Sequence, residues 1–129
     1  MSGASEIGAS APTLASGVEP TVDSYNTADV NVAADTADQQ IIAAPGVGKQ
    51  IWIYSLAGTA NVSGSVSVQD SDDAALTGIM PVAAFGGLGL PASGNFAMPL
   101  MKAATNKAVE VDTVTCAFDG VVGYAIVSV

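Results

Sequence analysis

The residues of this chain that could do chemistry sit in three short stretches, and each stretch lacks a partner that the chemistry needs. "APGVGKQ" (Ala44 to Gln50) carries the glycine–lysine step of a phosphate-binding loop. That loop requires G-x-x-x-x-G-K-[ST], so that backbone amides cradle phosphate and a hydroxyl holds magnesium. Ala43 stands where the first glycine belongs and Gln50 where the hydroxyl belongs. The β-prone "QIWIYSL" follows directly, where a helix N-terminus would have to face the anion. Lys49 is expected in a turn.

"GLGLPA" (Gly87 to Ala92) matches G-x-G-x-x-A in form, but Pro91, Gly94 and Pro99 interrupt the helix that a dinucleotide site needs. It is expected to be a loop. "DSDD" (Asp70 to Asp73) has the charge for a hard cation. EF-hand spacing fails, because Ala75 occupies the glycine position and no glutamate stands at the twelfth. A solvated hairpin turn is expected, and no metal.

The chain has no histidine and no arginine. Serine or cysteine nucleophiles therefore lack their usual base, and zinc lacks its commonest nitrogen ligand. A carboxylate pair for glycoside cleavage would need an acid in an apolar setting, and none is seen. No enzyme activity and no cofactor are expected. Three lysines against twelve acids give a formal charge of −9, a surface that repels a phosphate backbone. Nucleic acid is excluded as a partner, whereas a basic partner surface would suit. No run approaches the roughly 18 apolar residues that span a bilayer, and no membrane partner is expected. The single Cys116 is expected to be a small buried hydrophobe.

The elements that must carry these residues are short strands. At 129 residues, half of them hydrophobic and mostly Ala and Val among Gly, Ser and Thr, the chain fits one domain built from strands and turns. Strand signals recur from Ala28 onward. "NVSGSVSVQD" alternates most cleanly, with Val62, Val66 and Val68 opposite Ser63, Ser65 and Ser67. "KAVEV" alternates too, and its inward set then changes phase toward Val114, Cys116 and Phe118. A turn or bulge near Asp112 and Thr113 would account for this. The expected fold is all-β, an antiparallel β-sandwich or jelly roll of about eight short strands.

Residues 1–24 show neither helical nor strand period and are set apart from the sandwich at 25–129. Their separated apolar and proline residues (Ile7, Pro12, Leu14, Val18, Pro20) fit either an unanchored tail or an extended arm that orders against a partner. Two strands, "QIWIYSL" and "VVGYAIVSV", are apolar on both faces, whereas a small sandwich normally leaves one face polar. Either a loop of the same chain or another subunit must cover them. A subunit interface of Trp52, Tyr54, Val122, Tyr124 and Ile126 is the expectation taken forward.

From Gly48 to Val129 the chain resembles small β-sandwich head decoration (cement) proteins of tailed bacteriophages. The resemblance rests on the order of weak elements. Gly48, Lys49, Ile51, Ile53 and Ser55 open a strand, and Leu76-Thr77-Gly78 follows. Next come Phe85-Gly86-Gly87 with Leu90-Pro91, then Asn106 to Val111, then Gly123-Tyr124. The segment before Gly48 has no counterpart in this pattern. The resemblance implies a structural virion protein, trimeric on the outer capsid surface, with the major capsid protein and its own copies as partners. The alternative is a receptor- or carbohydrate-binding knob of a fibre or adhesin, for which Trp52 is the only tryptophan available as a platform.

Overall fold

The structure, a computed structural model, describes residues 21–129, and no helix occurs among them. Nine strands follow in order: β1 (Thr21–Val32), β2 (Gln39–Ile42), β3 (Lys49–Ala60), β4 (Gly64–Asp70) and β5 (Met80–Val82), then β6 (Gly87–Leu90), β7 (Met101–Lys102), β8 (Val109–Val114) and β9 (Phe118–Ser128). Two antiparallel sheets pack together. The first runs β1-β9-β3-β6 with β7 also on β3, and the second runs β2-β8-β4-β5. With the two-residue β7 set aside, the first strand pairs with the last, the second with the next to last, and so inward to β4 with β5. That order is a long hairpin wound into two sheets, which is the jelly roll.

Valines and isoleucines at alternate positions produce these strands and give each an inward face. Val30, Val32, Ile51, Ile53, Leu56 and Phe118 of the first sheet meet Val66, Val68, Val109 and Val111 of the second. β9 lies between the two longest strands, and its ladder to β3 has one irregularity. Gly123 faces Ser55 and Tyr124 faces Ile53, so Tyr54 is an extra residue on β3. This bulge changes the parity of β3. Ile51 and Ile53 point into the core before it and Leu56 does so after it, although uninterrupted alternation would have set Leu56 with Trp52 and Tyr54.

Three further features depart from the sequence reading. β1 is already a strand at Thr21, seven residues before the first strand signal, so the expected boundary at 24/25 falls inside it. Its polar N-terminal half has no clean alternation, and a second bulge at Asp23 lets it follow β9. Gly87–Leu90, expected as loop, pairs as β6 with Leu56–Thr59; glycine has little strand preference of its own, and the ladder supplies it. The phase change expected near Asp112 and Thr113 comes later. Thr113 stays inward and buried, its hydroxyl donating to the Ala33 carbonyl at 2.6 Å and accepting from the Thr36 amide at 3.1 Å. The chain turns at Thr115 instead, which has φ 71° and whose amide donates to the Asp35 carboxylate at 2.7 Å.

Close approach of β9 to β3 requires glycine at two facing positions, Gly58 and Gly120. A Cβ on Gly120 would lie 1.9 Å from the Ala57 carbonyl oxygen and 2.5 Å from the Gly58 Cα, all backbone that cannot rotate away. Gly120→Ala is expected to destabilise the fold by about 1–3 kcal/mol or more, read as a lowered Tm by circular dichroism. An unchanged Tm would show that the two central strands can separate without cost.

Candidate interaction surface

The outward face of the first sheet carries a second, smaller apolar cluster. Trp52, Tyr54, Ala125 and Val127 are buried there, with Val22 against them. Ala125 stands between Tyr25 of β1 and Trp52 of β3 in the ladders, and its small side chain leaves room for aromatic neighbours. Trp52 is 6% exposed. Its Nε1 donates to Gln50 Oε1 at 2.8 Å, Gln50 Nε2 donates to the Ala103 carbonyl at 2.7 Å, and Lys102 Nζ lies 4.2 Å from the ring centroid.

β6 and β7 both pair with the same edge of β3, and the chain between them, residues 91–100, loops out beside the Tyr54 bulge. This loop is shaped by its own polar groups. The Ala97 amide donates to Asn95 Oδ1 at 2.9 Å, Ser93 Oγ donates to the Met98 carbonyl at 3.0 Å, and the Met98 amide returns to the Asn95 carbonyl at 2.9 Å. The Leu100 amide ties the loop to β3 through the Ile53 carbonyl at 2.8 Å.

The loop brings Phe96 against two tyrosines. Ring centroids are 5.0 Å apart for Tyr25–Phe96, 5.9 Å for Tyr54–Phe96 and 6.4 Å for Tyr25–Tyr54, distances at which tilted and edge-on rings attract. Tyr54 donates its hydroxyl to the Phe96 carbonyl at 2.6 Å. Burial pushes its pKa above the ordinary tyrosine value, and Tyr25 adds to this, so the donor proton is retained. Tyr54 is enclosed, whereas Tyr25, Phe96 and Met98 are 55%, 64% and 62% exposed.

Of the five expected interface residues, only Trp52 and Tyr54 lie on this face, and each is largely covered by its own chain. Val122 is fully buried in the main core, and Tyr124 and Ile126 pack against that core from the inward side of β9. The five do not form one surface. Ile7, Pro12, Leu14, Val18 and Pro20 lie outside the described residues. The exposed members of the surface, Tyr25, Phe96 and Met98, escaped sequence reading, although large apolar residues inside "DSYNT" and "SGNFAMP" were a usable signal.

The chemical candidates resolve into structural roles. Gly46 and Gly48 have φ 114° and 75°, and the Lys49 amide donates to the Gly46 carbonyl; "PGVGK" is a turn into β3. Lys49 Nζ pairs with Asp23 at 3.0 Å, and Ser128 Oγ donates to the same carboxylate, which joins β3, β1 and β9 at one corner. Asp70 is buried, accepting from the amides of Asp72, Ala74 and Ala104. It organises its own turn and ties it to the loop after β7. Asp73 turns away to join Asp38 and Glu110, whose carboxylate oxygens lie within 4.8 Å of one another. These three have the donor set for a hard cation, and the Gln69 amide already donates to all of them from the centre of the group. Cys116 is buried, its Sγ 3.7 Å from the Ser65 carbonyl oxygen.

Comparison with protein-family models, curated proteins and solved structures found no match to this chain.

The corner at Asp23 is pH-sensitive. The hydrogen bond from Lys49, followed by that from Ser128, holds the Asp23 carboxyl below its ordinary value of 3.8. A depressed folded value means the stabilisation is full above the ordinary value and is lost as pH falls through the folded one. The Tm advantage of wild type over Asp23→Asn is therefore expected to hold from neutrality downward and to close below pH 3.8. A gap that persists in strong acid would show that the ion pair is not its source.

Proposed function

We propose that this protein is a structural virion protein, a phage capsid decoration or cement protein that binds the outer capsid surface as a trimer and stabilises the head. The observation that carries the reading is the placement of the resemblance elements in one jelly roll. Gly48 to Ser55 open β3, and Leu76-Thr77-Gly78 link β4 to β5. Phe85 to Gly87 turn into β6, Leu90-Pro91 end it, Asn106 to Val111 lead into β8, and Gly123-Tyr124 lie at the centre of β9. The exposed aromatic surface supports the same reading, since a patch of this kind on a soluble domain marks a contact site. A trimer multiplies modest contacts with the major capsid protein without adding contacts per subunit.

The fibre-knob alternative depended on Trp52 as an exposed glycan platform. That ring is covered and capped by Lys102, and no observation favours that reading further.

The test is to mix purified protein with undecorated heads and measure bound copies and thermal protection of the heads. Saturable binding with raised heat resistance is expected. Deletion of residues 2–20, which leaves β1 intact, is expected to weaken binding if the leader is the capsid-binding arm. Failure of the full-length protein to bind heads that lack decoration would sink the decoration reading.

A further inference from the structure

We propose that the Tyr25–Phe96–Met98 face of the first sheet is where a second copy of this chain docks. The proposal rests on the reading above, that the protein works as an oligomer, and it names the surface that joins the copies. Charge distribution selects the occupant. Among the described residues, seven of the ten acids lie on the second sheet or the loops bonded to it, against one lysine, Lys107, a local balance of −6. The first sheet carries three acids (Asp23, Asp29, Asp119) against two lysines, Lys49 and Lys102, a balance of −1. Two copies of a chain with net charge −9 repel across most of their surfaces, and the first sheet is where that repulsion is weakest. It is also where Phe96 and Tyr25, 5.0 Å apart and more than half exposed, offer the aromatic anchors that interface centres favour. Phe96 sits on a loop fixed by six internal or β3-directed hydrogen bonds, so little order has to be gained on docking.

The charged arrangement on this face is itself polar. Lys102, opposite outward Trp52, lies toward one end of the strands, where Lys49 and Asp23 neutralise each other as a pair. Asp29 and Asp119, which alternate outward next to inward Val30 and Phe118, lie toward the other. A neighbour whose strands run in the opposite sense, or one joined head to tail, sets the lysine end of one copy near the acidic end of the next.

The experiment is sedimentation equilibrium on the full chain at micromolar concentration, with Phe96→Asp and Met98→Asp as variants. Both side chains are solvent-facing on a loop, and near-UV circular dichroism checks that each variant keeps the Trp52 environment. The wild type is expected at a multiple of 12.7 kDa, threefold on the trimer reading, and each variant is expected to shift toward 12.7 kDa. Added salt is expected to strengthen wild-type association, because screening removes repulsion between the acidic sheets and leaves the apolar contact. A wild type that sediments only at 12.7 kDa, or variants that assemble as the wild type does, overturns the proposal. So does an oligomer that deletion of residues 2–20 dissociates and the two substitutions leave intact. Head binding separates the two readings. An oligomer that dissociates on Phe96→Asp and never binds heads supports this surface and sinks decoration.

Discussion

The ladder that β9 makes on both of its edges is the constraint on which the other elements depend. Eleven residues of β9 face β1 and β3 at once, from Phe118, between Val32 and Ala60, to Ser128, between Thr21 and Lys49. Its side chains divide between two apolar clusters. Phe118, Val122, Tyr124 and Ile126 fill the main core, and Ala125 and Val127 back the outer face. A central strand apolar on both sides fixes its register from both sides, because a one-residue slip would exchange the two sets. Gly120 belongs to the same constraint, since it lets β9 and β3 approach where any larger residue would strike backbone.

One irregularity in that ladder creates the exposed surface. The extra residue at Tyr54 turns its ring outward while Ile53 and Leu56 stay inward. On the other edge of β3 the partner strand is broken at the same level, β6 ending at Leu90 and β7 beginning at Met101. The ten residues between them leave the sheet and return with Phe96 lying on Tyr54 and Tyr25. Bulges commonly re-aim side chains next to functional surfaces, and here the bulge, the broken edge and the aromatic cluster coincide.

The polar residues that resemble catalytic or binding machinery serve to hold loops. Asp70 gives up solvent to accept three backbone amides across two loops, and those bonds satisfy its buried carboxylate. Asn61, Asp35 and Asn106 do similar work at other turns, each accepting one backbone amide from a residue distant in sequence. Lys49 pairs with a carboxylate of its own chain. A jelly roll made largely of valine, alanine and glycine has few side chains long enough to bridge its connections, so short acids and amides do so.

Fold class was legible in the sequence because valine alternation in segments such as "GSVSVQ" and "AVEV" depends only on the two-residue period of a strand and on burial. The exclusion of a phosphate loop at "PGVGK" was legible for a similar local reason, since that motif needs specific neighbours that the chain lacks. What the sequence could not carry was parity across a bulge. Tyr54 becomes an extra residue only because Gly123 sits opposite Ser55, a relation between positions nearly seventy residues apart. That long-range pairing moved Leu56 into the core, while packing of the two sheets set Val122, Tyr124 and Ile126 on the inward face and left Tyr25, Phe96 and Met98 exposed beside the bulge. Tertiary pairing also made a strand of Gly87–Leu90, where glycine has weak strand preference, and of Thr21–Ala28, where Asp23, Ser24 and Asn26 interrupt the β-prone residues. Local pattern determined that this chain forms strands; only tertiary pairing decided which side of each strand meets solvent.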